Sequence, residues 1–158
     1  MEENQYRDTY HSINPLRCVF EKAINTRRCQ CSLSHRFCLA DREGVSCSVD
    51  LAQKRCQTLL QTMRSKAIFV MRLTRIDGAL PHGKEIKVQI GGLLGLQLLL
   101  DSEHVSENGI SDIHQLLTRA IEKFQSIDSF PYDEIVKQIT RFEGRSRRKG
   151  SSNNEQEL

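Results

Sequence analysis

The 158-residue chain contains no tryptophan, only three prolines and nine glycines, and no long apolar run. Its longest apolar stretch, Ile90 to Leu100, is broken by Gln97 and is far shorter than the roughly 20 residues a spanning helix needs, so no membrane segment is expected. The first dozen residues are polar and acidic, with no apolar core of a secretory signal, and the expected location is the cytoplasm. Neither sign of charge is in large surplus. Lys and Arg number 23 against 20 Asp and Glu, which makes nucleic acid an unlikely partner and leaves a protein as the expected one. Catalytic signatures are also missing: there is no G-x-S-x-G, Walker A loop, H-E-x-x-H or G-x-G-x-x-G, so the reading leans away from an enzyme. With hydrophobic residues at 38%, the length suits one domain with a small core and excludes a multidomain enzyme.

Both ends are polar. Residues 1–13 lack apolar periodicity, and Gly144 to Leu158 runs basic, through Arg145, Arg147, Arg148 and Lys149, then polar and acidic; both are expected to be disordered tails around a single domain at 14–143. Inside that domain Asn14-Pro15 reads as a helix start, with Leu16, Val19, Phe20, Ala23 and Ile24 at helical spacing as far as about Arg28. A short helix is expected from Ser32 or Ser34 to Glu43, stopped by Gly44. Asp50 opens a long helix whose stripe includes Ala52, Cys56, Leu59, Leu60, Met63 and Ala67. A buried helix follows Pro81, in which Gly91 and Gly95 allow a neighbouring backbone to come close; the competing reading is a short strand near 85–90, where Ile86, Val88 and Ile90 alternate with polar residues. Helices starting at Asp112 and Pro131 complete an all-α bundle of about five helices with an irregular N-terminal third, or an α+β fold if the strand forms.

What the sequence has in excess is cysteine. All six lie between Cys18 and Cys56, and in a reducing cytoplasm such a cluster points to metal or thiol chemistry rather than disulfides. A continuous first helix would hold Cys18 about 16 Å from Cys29, and Cys56 lies in an apolar stripe as a small core residue. Elimination leaves Cys29, Cys31, Cys38 and Cys47 as the candidate metal ligands, with His35 in reserve. Four thiolates suit an iron–sulfur cluster or zinc, although C-x-C-x₆-C-x₈-C matches neither zinc-ribbon nor ferredoxin spacing. The expected function is a small iron–sulfur or zinc accessory or electron-transfer protein. The alternative is an all-α interaction or regulatory module with structural or redox-sensing thiols.

Overall fold

The computed structural model describes residues 2–71, 80–102 and 109–143. The basic segment at 145–149 and the expected C-terminal tail at 144–158 lie outside the described residues. Among the described residues six α-helices and one β-hairpin follow in the order α1 (Glu3–Ile13), α2 (Glu21–Asn25), β1 (Ser34–Leu39), β2 (Arg42–Cys47), α3 (Asp50–Ala67), α4 (His82–Leu100), α5 (Ile113–Phe124) and α6 (Tyr132–Arg141). The fold is mostly helical with a two-stranded antiparallel sheet.

The four long C-terminal helices form as their apolar spacing predicts. On α3, Leu59, Leu60, Met63 and Ala67 are buried, and burying each large side chain stabilises the fold by about 1.5–3 kcal/mol. Segment 85–90 is helical within α4, because α4 is buried on several sides and packs against α2, α3, α5 and α6. Its glycines permit this. A Cβ on Gly91 would lie 2.9 Å from Ile139 Cα, one on Gly95 3.1 Å from Ile135 Cα, and one on Gly92 2.4 Å from Met63 Sδ, so α4 touches α6 almost backbone to backbone. Asp112 caps α5 by accepting from His114 N at 3.1 Å.

Buried polar groups tie α4 to its neighbours. Glu85 receives the Arg64 guanidinium and, at 2.9 Å, the Gln89 amide, while Gln89 accepts from Ala23 N at 3.0 Å. One residue on α4 thereby holds the short helix α2 in place, and a second holds α3.

The N-terminal third departs from expectation in three places. Residues 3–13, read as a tail, form α1. Tyr10 is 5% exposed; its hydroxyl donates to Glu21, and Asn14 donates to both Tyr10 Oη at 2.9 Å and Val45 O at 3.0 Å. Tyr10, the one buried residue of α1, fixes the helix through polar partners, and Arg42 of the hairpin adds contacts with the Tyr6 ring and with Glu3 at 2.9 Å, which is why no apolar stripe announces it. The expected helix from 14 to 28 is cut to the five residues of α2, because 16–18 lie along the outer edge of β2: Cys47 N donates to Leu16 O at 2.8 Å and Cys18 N to Val45 O at 2.9 Å. The expected helix from Ser32 or Ser34 to Glu43 is the β1–β2 hairpin, with Phe37 opposite Gly44 and a two-residue turn at Ala40-Asp41. Gly44 is not a helix stop. A Cβ there would meet the Phe37 ring at 2.4 Å, so the glycine makes the slot in which the ring lies.

Candidate functional site

The hairpin, the 14–20 connection and the first turns of α3 and α5 enclose a cavity of about 30 Å³, room for one or two water-sized guests. Four of the six cysteines line it: Cys18 from the connection before α2, Cys31 from the turn before β1, Cys47 from the end of β2, and Cys56 from α3. The remaining wall is largely apolar, with Phe20, Leu33, Ile113, Leu117 and Ile121, and His114 also faces it.

Electrostatics shows the four thiols as one group. Burial pushes the Cys18 and Cys56 thiols up to about 12 and also raises Cys31. Charge on Cys31 and on Cys47 adds to the rise at Cys18, charge on Cys47 adds at Cys31, and Cys18, Cys31 and Cys47 all add at Cys56. Every pair is within mutual influence. Against this, the backbone N–H of Phe20 points at Cys18, and those of Leu33 and His114 point at Cys31, each favouring thiolate. Two of these donors stand two residues beyond the sulfur they serve. Asp112 locks the geometry by accepting from Ser32 N at 3.0 Å as well as capping α5, so the turn carrying Cys31 is stitched to the helix carrying His114.

Of the residues expected from the sequence, Cys31 and Cys47 come together here; Cys29, Cys38 and His35 do not line the pocket. Cys29 is fully buried beside Ile110, with its thiol pushed up to about 11 by burial against the Ile110 N–H. Cys38 is exposed on β1. His35, on the same strand, lines a separate cavity. Sequence reasoning missed Cys18 because it ran one helix through 14–28, and missed Cys56 because an apolar stripe and a pocket wall share one face of α3.

As the side chains stand, no three His, Cys, Asp or Glu among the described residues are set to hold a metal ion. The thiols surround the cavity without closing on its centre. Among the described residues no helix is long and apolar enough to cross a membrane. In comparisons with known proteins, no family model, no curated protein and no solved structure matches the chain.

Proposed function

We propose that the chain is a small metal–thiolate protein whose centre, an iron–sulfur cluster or zinc, is held by Cys18, Cys31, Cys47 and Cys56. The observation that supports this most is the convergence of four thiols from four separate segments on one apolar pocket. Soft thiolate ligands suit both centres, and apolar walls limit water access around them. Backbone N–H groups directed at Cys18 and Cys31 would stabilise ligating sulfurs and, in a cluster, tune its potential. Loading requires the thiols to lose their protons; zinc would draw them inward, whereas a cluster, larger than the one or two water-sized guests the pocket admits, would also require it to widen, so metal binding would be coupled to rearrangement of the N-terminal third. An iron–sulfur centre would make the protein an electron-transfer or accessory component acting on a protein partner in a reducing compartment such as the cytoplasm. Catalysis by the chain itself forms no part of this reading.

The competing reading keeps the four thiols as structural or redox-responsive groups of an interaction or regulatory module. The raised pKa values of Cys18 and Cys56, and the lack of closure on an ion among the described residues, favour its structural form, since buried neutral thiols are poor nucleophiles. Anaerobic purification with iron, zinc and sulfide analysis separates the two. Stoichiometric metal, coloured with acid-labile sulfide or colourless with zinc, supports the proposal. A colourless, metal-free and well-folded protein that takes up neither metal on reconstitution supports the structural-thiol reading.

A further inference from the structure

A second cavity, of about 470 Å³, lies on the other side of Cys31. It is lined by Ile24 and by Arg27, Arg36 and His35 with the neutral polar groups of Gln30 and Ser34; among the described residues no carboxylate lines it. Arg36 on β1 is the unusual member. One guanidinium nitrogen donates to Ile24 O at 2.8 Å, while Nη1 is buried with no hydrogen-bond partner among the described residues. Among the described residues no carboxylate pairs with Arg36; Arg28, Arg55 and Arg141 also lack one, but Arg55 and Arg141 are exposed and Arg28 lies over the Phe142 ring, whereas Arg36 is half-buried. A half-buried guanidinium without a counter-charge is costly unless something neutralises it.

We infer that this cavity is a binding site for a small oxyanion, phosphate in the first instance, held by Arg36 with Arg27 and His35. With Nη2 held by Ile24 O and Nη1 buried, Arg36 would turn Nη1 toward the cavity to meet an oxyanion, gaining the partner it lacks, while Gln30 and Ser34 add uncharged donors at the same wall. Arg27 already reaches Glu43 at 2.6 Å, but its remaining N–H groups leave it able to serve both. Arg27 holds a left-handed backbone, with φ 69°, directly after α2, a conformation unfavourable for a side-chain-bearing residue. Because Cys31 lines both cavities, the anion would sit beside the four-thiol pocket. The inference does not depend on a metal being bound.

The test is calorimetric titration of the full chain, with and without metal, using inorganic phosphate against chloride at matched ionic strength. Saturable phosphate binding is expected, weakened about tenfold or more by Arg36→Gln and left within about twofold by Arg42→Gln, an arginine of the same hairpin that lies outside the cavity. Should Arg36→Gln disturb the hairpin, the double variant Arg27→Gln/His35→Gln, at two exposed positions, is expected to weaken phosphate severalfold with the fold intact. No saturable binding, an equal response to chloride, or equal loss in Arg42→Gln would overturn the site. Failure here leaves the metal proposal untouched, since metal content is measured separately.

Discussion

Cys56 on α3 and Cys18 in the connection before α2 wall the same pocket, and burial holds both thiols at about 12. In the metal-free protein both are therefore neutral at pH 7. A folded-state pKa raised above the ordinary thiol value stabilises the fold fully below that ordinary value, near 9, and the contribution is lost as pH rises toward 12. Cys29, at about 11, and Tyr132, at about 12, act in the same direction. Urea unfolding midpoints of metal-free protein should hold steady from pH 6 to about 8 and fall progressively above about pH 9. A midpoint that rises across that window would show the thiols to be exposed or already ionised.

The Tyr10–Glu21 contact makes α1 part of the domain. Glu21 also accepts from Val45 N at 2.9 Å and from Arg17, so its carboxylate is shared by α1, the 14–20 connection and β2. Tyr10→Phe removes one buried donor to a charged acceptor and should cost about 1–3 kcal/mol, with increased hydrogen exchange at 16–18 and 45–47. Unchanged stability would return residues 3–13 to the status of a tail.

Gly91 is the tightest point of the α4–α6 contact. Alanine there gains about 1 kcal/mol in helix propensity, but its Cβ would press on the Ile139 backbone, which cannot swing aside as a side chain can. A net loss of about 1–2 kcal/mol is expected from Gly91→Ala, whereas Gly83→Ala, with nothing within 4 Å, should be neutral or stabilising. Thermal melts of the two variants moving together would refute the close approach.

Glu85 is almost fully buried and takes its charge partner from α3. Glu85→Ala leaves the Arg64 guanidinium and the Gln89 amide facing a void, and should cost about 3–5 kcal/mol. Replacing both members of the pair, as Glu85→Leu/Arg64→Met, should recover much of that loss, and a double-mutant cycle measures the difference.

Helices α3, α5 and α6 are legible in the sequence because each carries an apolar stripe, and α4 because it is apolar nearly all round, with Gly91 and Gly95 already marking it as a close-packing helix. The hairpin is hidden for a specific reason. Its turn, Ala40-Asp41, lacks the Asn-Gly or Asp-Gly signal, and Ala40 takes φ 53° without being glycine, while Leu33, Phe37 and Ala40 happen to fall at helical spacing. Once 34–47 is a hairpin, its outer edge recruits 16–18 through two backbone hydrogen bonds, and local helix propensity gives way to pairing between segments about 30 residues apart. That recruitment carries Cys18 to the pocket. Cysteine density is visible from the sequence, but the membership of the group depends on this long-range pairing, so only Cys31 and Cys47 of the residues expected there line the four-thiol pocket.

The central claim is that Cys18, Cys31, Cys47 and Cys56 act together as metal ligands. Its most direct test is metal content per chain after anaerobic reconstitution of two paired variants, Cys18→Ser/Cys56→Ser and Cys29→Ser/Cys38→Ser, with far-ultraviolet circular dichroism to verify folding. The account predicts that the first pair loses the metal while remaining folded, that the second retains it, and that loading the unmodified protein at pH 7 releases protons, those of the neutral Cys18 and Cys56 thiols among them. Metal lost from the Cys29/Cys38 pair and retained by the Cys18/Cys56 pair would contradict it.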